Sequence, residues 1–137
     1  MSMCGCFYAI TDDQMDNLLD GSLSIDDLRD DLDKDPARCF SDAEYIWYEL
    51  TERFGNISIR GVRSTDRIPE GAGVSYSGDV RLTASELAGL APETLRQMCE
   101  GLTWGEGPEE VVRIANALIA FYQQAAQRGD AVLFRIT

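Results

Sequence analysis

The sequence predicts an α/β (α+β) fold in a single compact domain over residues 1–137, with a small mixed sheet that includes the N- and C-terminal strands and packs against several helices. Three observations predict it. A chain of 137 residues, 45% of them hydrophobic, suffices for one core and is too short for two. Both ends of the chain are rich in β-branched and aromatic residues. Between them, several segments repeat apolar residues every three or four positions, as helices with one buried face do.

The elements follow in order. The segment from Cys4 to Ile10 alternates poorly but holds Phe7, Tyr8 and Ile10, and it reads as a buried strand. In "TDDQMDNLLDG" Thr11 is placed to cap free amides while Gln14 reaches back, and Gly21 supplies a left-handed stop. Ser24 opens a second short helix with Ile25, Leu28 and Leu32 as its apolar stripe, ended by Pro36. "SDAEYIWYELTERFGN" predicts a central helix from Ser41 to Gly55, with Ile46, Trp47, Leu50 and Phe54 at helical spacing. "NISIRGVR" then predicts a short strand interrupted by a glycine, and residues 64–78, with Pro69 and three glycines, an irregular connection. "LTASELAGL" and "APETLRQMCEGL" predict two short helices. The clearest helix starts at Gly107-Pro108 and carries Val111, Ile114, Ala115, Leu118, Ile119, Tyr122 and Ala126 along one face until Gly129. "DAVLFRIT" closes the chain as a strand.

Charge narrows the range of partners. Twelve basic residues against 24 acidic ones give a net charge of −12, which repels phosphate backbones and anionic membranes, so neither nucleic acid nor membrane is expected as a partner. Ten aspartates fall between Asp12 and Asp35, against only Arg29 and Lys34. An acidic face is the main electrostatic feature. No window approaches the roughly 20 apolar residues of a membrane-spanning helix, no basic leader is evident, and the four cysteines lack the spacing of a disulfide scaffold. A cytoplasmic protein is expected.

The motifs with chemical potential have simpler readings. Cys4 and Cys6 point to the same side of an extended strand, where two small apolar side chains serve a core, whereas zinc sites show paired C-x-x-C spacing. "DLDKDPARCFSD" places Asp31, Asp33, Asp35 and Asp42 as a calcium loop would, but Pro36 stands where that loop needs glycine. "GAG" and "GEGPEE" are turn and cap rather than phosphate loops. No metal and no cofactor are expected. Histidine is absent, which removes the commonest general base near neutral pH and weighs against an enzyme; no catalytic residue is assigned.

The two ends together, "MSMCGCFYAIT" and "ALIAFYQQAAQRGDAVLFRIT", resemble the bacterial YfbM-like family, a domain family of unknown function. Its members begin with a strand of the "MGMIGYFA" kind and end with a helix containing "FY", a glycine and a strand. "EYIWYELTERFG" is similar to the family's central helix, and "YSGDVRLTASEL" to its "YGPARYLT" segment through Tyr76, Gly78, Leu82 and Thr83. The family helix often carries histidines that this chain lacks, and the family arginine is met only by Arg81, one place off. The resemblance implies an α/β fold in one domain. It supplies no function.

Two functional expectations result. The first is a non-enzymatic protein-binding domain whose acidic face, Asp26, Asp27, Asp30 and Asp31 with Trp104 as an anchor, engages a basic protein partner. An immunity protein that neutralises a toxin is the specific form of this expectation. The alternative is a small-ligand binder or enzyme with a pocket near the loop at 64–81, using Tyr76, Asp79, Arg81 and Tyr48.

Overall fold

Every residue of Gly5–Ile10 is buried, which explains why this strand, β1, alternates so poorly: the sheet is covered on both faces. The computed structural model describes residues 4–43, 46–68, 71–102 and 107–136. After β1 come α1 (Asp12–Asp20), α2 (Ile25–Leu32), β2 (Cys39–Phe40), α3 (Trp47–Glu52), β3 (Arg63–Thr65), β4 (Ala72–Ser75), α4 (Ser77–Ala88), α5 (Pro92–Met98), α6 (Pro108–Arg128) and β5 (Ala131–Ile136). The strands order as β2-β1-β5-β4-β3. Among the described residues every ladder is antiparallel, so the sheet expected to be mixed has a single pairing sense there.

The two chain ends form the centre of the sheet, with β1 and β5 pairing over six residues from Gly5↔Ile136 to Ile10↔Ala131. On one face Phe7, Ala9, Val132 and Phe134 pack against α3, α4, α5 and α6; on the other Cys6, Tyr8, Ile10, Leu133 and Val74 pack against α1 and α2. Phe7 is central to the first layer, with its ring 4.8 Å from that of Phe134 and 6.1 Å from that of Phe40. Cys6 accordingly serves the core, as its place in the strand predicted.

The helix ends bear out the sequence where capping is local. The Thr11 hydroxyl accepts from the Gln14 amide at 3.0 Å and the Gln14 side chain accepts from the Thr11 amide at 3.0 Å, closing the capping box of α1. Gly21 and Gly129 stop α1 and α6 with φ of 85° and 74°. The buried stripe of α6 is shifted slightly from expectation: Phe121 and Ala125 are fully inside, while Ile119 and Ala126 are half-buried.

Three local expectations are corrected. The segment at 57–62 is a series of turns rather than a strand, and the edge strand β3 starts at Arg63. The supposed irregular connection at 64–78 contains β4 and the first residues of α4, which begins six residues before Thr83. The central helix is shorter than its periodicity, spanning Trp47–Glu52, with Ala43 in a turn before it; Glu44 and Tyr45 lie outside the described residues. Among the described residues no helix is long and apolar enough to cross a membrane.

Candidate functional site

The site is built from the turns that follow α3. Trp47, at the first position of α3, is buried with its ring 5.4 Å from that of Phe134. It approaches β1 closely because residue 5 is glycine: a Cβ there would be 2.6 Å from the Trp47 ring. Seven residues after the end of α3, Ile59 is anchored by its carbonyl, which accepts a hydrogen bond from the buried Tyr122 hydroxyl of α6. Burial pushes the Tyr122 hydroxyl upward, so it stays protonated and a donor at any ordinary pH.

Residues 60–62 are then clamped to β4. The carbonyl oxygen of Arg60 occupies the space beside Gly73, 1.8 Å from where a Cβ would stand, and Gly61, at φ 102°, faces the backbone of Gly73 and Val74. The amide of Val62 donates to the Val74 carbonyl at 3.1 Å and to the Ser75 hydroxyl at 3.2 Å. These contacts fix the backbone from which the Arg60 side chain departs.

Arg60 turns back over α3. Its guanidinium carbon lies 5.9 Å from the Trp47 ring centroid and 5.4 Å from that of Tyr48, and Nη2 donates to Glu52 Oε1 at 2.6 Å. Stacking of this kind contributes about 0.5–1 kcal/mol at an exposed site and, more usefully, orients the planar group. Between α3, the turns at 55–64 and residues 71–73 lies a cavity of about 620 Å3. Trp47, Phe134 and Ile136 provide its apolar wall and Glu52 and Arg60 its charge; Arg63, at its edge, pairs opposite Val74, which packs on the α1 and α2 face of the sheet. Such a volume, an aromatic wall and a few oriented polar groups suit a small ligand. A second cavity, of about 670 Å3, lies between α5 and the start of α6, and its described lining carries Glu93, Glu100, Glu109, Arg96 and Arg113.

The residues singled out from the sequence are dispersed. Tyr76 caps α4, its hydroxyl donating to Asp16 of α1 at 2.5 Å, and the Asp12 carboxylate accepts from the amide and hydroxyl of Ser77 at 2.9 and 2.6 Å. The Asp16 hydrogen bond, helped by burial, pushes the Tyr76 hydroxyl up to about 12. Tyr76 therefore ties the start of α4 to the middle of α1, while Asp12 and Ser77 join the two helix starts. Asp79 is half-buried in the first turn of α4 and Arg81 is solvent-exposed. None of these three lines the cavity, nor does Tyr48, which is 52% exposed and has its ring 5.4 Å from the Arg60 guanidinium carbon. The cavity borders α3, the turns before β3, Ser64 and residues 71–73, and none of its described lining comes from the start of α4.

Asp26, Asp27, Asp30 and Asp31 all face solvent on α2, across the sheet from Trp47 and Phe134. Trp104 lies outside the described residues. Among the described residues no three acidic or cysteine side chains gather to hold a metal. Cys39, opposite Tyr8 in the β1–β2 ladder, has its thiol pushed up to about 12 by burial and then by the Asp33 carboxylate, which keeps it an unreactive thiol. Sequence reasoning missed Glu52 and Arg60 because their convergence depends on the Gly61–Gly73 approach. The glycine that interrupts "NISIRGVR" was the one available signal.

No protein with a curated description matches this chain. Among solved structures, the fold is similar to that in the crystal structure of YfbM, a protein of unknown function from Escherichia coli, with a TM-score of 0.64 and 18% identity over 98% of this chain and 100% of that one. A family model described as a domain of unknown function, DUF1877, matches residues 1–135. With nearly its whole length matched and its fold shared with YfbM, the chain belongs to the DUF1877, or YfbM-like, family.

Proposed function

We propose that this chain is a small-ligand-binding domain whose site is the cavity between α3, the turns at 55–64 and β4. The observation that carries the reading is the Arg60 guanidinium held over Trp47 and Tyr48 at the edge of a cavity of about 620 Å3. An arginine in water samples many rotamers; this one is oriented by two rings and a carboxylate, which lowers the ordering cost on binding. The lining offers stacking and charge rather than a nucleophile paired with a base, so binding rather than catalysis is its chemistry. A screen of small aromatic compounds by 1H–15N NMR tests it. Hits should shift the Trp47 indole and the amides of 58–63; hits that shift only other regions, or no hits, would remove the proposal.

The acidic helix supports a second reading, a docking face for a basic protein, with toxin immunity as its specific form. All four aspartates of α2 face solvent, where opposite charge on a partner would speed encounter. Capture of a defined basic partner that is lost at high salt, and lost on neutralising Asp26, Asp27, Asp30 and Asp31 together, is its expected signature.

A further inference from the structure

The polar groups that face the proposed ligand cavity are neutral, singly or in sum. Glu52 and Arg60 hold each other at 2.6 Å, so the two charges of the lining cancel. Arg63 pairs opposite Val74 and therefore leaves the sheet on the α1 and α2 face. Ser64, the next residue, takes the other face: it pairs opposite Gly73, which pairs opposite Phe134, and Phe134 packs with α3 and α6. Asn56, Ser58 and Ser64 line the cavity, and among the described residues their side chains form no hydrogen bond within the chain. An amide and two hydroxyls are thus open to a ligand. Trp47, Phe134 and Ile136 add an apolar wall that suits a flat ring.

A charged ligand finds no complement in this lining. An anion approaching Arg60 meets the Glu52 carboxylate on the same guanidinium, in a protein whose net charge is −12. A cation approaching Glu52 meets Arg60. Either ion gives up hydration for a partner already engaged, whereas an uncharged ring loses little and keeps the benefit of the wall.

We infer that the ligand is an uncharged aromatic compound with neutral hydrogen-bonding groups, its ring against Trp47 and Phe134 and its polar edge toward Asn56, Ser58 and Ser64. This rests on the ligand-binding reading above and specifies it. The Glu52–Arg60 pair is the selective element: each member repels one sign of ion and neither opposes a neutral molecule.

The test uses two sets of probes that share a ring and differ in charge at pH 7: indole-3-acetamide, indole-3-acetate and tryptamine, and benzamide, benzoate and benzylamine. Each is titrated and followed at the Trp47 indole and the amides of 58–63. In both sets the amide should bind about fivefold more tightly than the acid and the amine. Glu52→Gln should raise the affinity of the acid relative to the amide several-fold, and Arg60→Gln that of the amine, because each variant leaves one charge of the pair without its opposite. Unchanged thermal unfolding shows that a variant is folded; the comparison in the wild-type chain decides the assignment if either variant is not. An acid or amine that binds at the cavity as tightly as its amide would overturn the neutral-ligand assignment and leave the ligand-binding reading standing. No shift from any of the probes would overturn both.

Discussion

The carbonyl oxygen of Arg60 sits 1.8 Å from the point where a side chain at Gly73 would begin. The close approach of these two residues shapes the cavity, because it decides where the Arg60 side chain leaves the backbone.

Gly73→Ala should therefore be severe. The new methyl meets backbone, which cannot rotate away, so the expected loss is roughly 2–4 kcal/mol, above the usual cost of overpacking. Gly78→Ala is the control, in the first turn of α4 with its nearest neighbour, the Arg81 side chain, 4.0 Å away. It should stabilise by about 0.4–1 kcal/mol through the unfolded chain. Urea denaturation of both variants checks the contrast.

Tyr122→Phe removes the hydroxyl that holds the Ile59 carbonyl and leaves that buried acceptor without its donor. The expected cost is about 1–3 kcal/mol. Because Ile59 precedes Arg60, the amides of 58–63 should lose hydrogen-exchange protection more than those of α1.

Asp130, 3% exposed, receives Arg128 Nε at 2.8 Å and Arg38 Nη1 at 3.2 Å, tying the start of β2 to the turn between α6 and β5. Asp130→Ala frees both half-exposed arginines to water and should cost about 1–3 kcal/mol. Arg38→Ala leaves Arg128 on the carboxylate and should cost less. The two losses should fall short of additivity in the double variant, measured by thermal unfolding.

Tyr76 should give a pH signature. Its hydroxyl lies near 12 in the folded chain against an ordinary 10.0, raised first by the hydrogen bond to Asp16. A folded value above the unfolded one means that the stabilisation is fully present below pH 10 and is lost as pH rises through about 12. The difference in stability between wild type and Tyr76→Phe should thus stay constant below pH 10 and shrink above it. Asp16→Ala should bring the Tyr76 titration back toward its ordinary value, measured by phenolate absorbance.

What was legible in the sequence was local or periodic. Thr11 with Gln14, Gly21, Pro108 and Gly129 marked helix ends because caps involve residues a few positions apart. The pairing of the two terminal strands was expected from their composition, and the β1–β5 ladder has it. The acidic face of α2 was visible as a charge pattern alternating with Ile25, Leu28 and Leu32. Strand β4 was hidden because Ala72-Gly73-Val74-Ser75 resembles a loop; glycine is there for a backbone that arrives from Arg60, thirteen residues earlier. Tyr76 was expected in a ligand pocket; in the structure its hydroxyl contacts Asp16, 60 residues away, and it does not line the cavity.

By itself, the sequence determined the helices with their caps, the buried terminal strands, the acidic surface and the family. These depend on neighbours along the chain, on periodicity and on summed charge. Only the tertiary structure decided where a ligand could sit. Trp47, Glu52, Arg60 and Phe134 come from α3, a turn and the last strand, and no spacing in one dimension encodes their meeting. It follows from steric complementarity between Gly5 and Trp47 and between Gly73 and Arg60, which exists only once the sheet has formed.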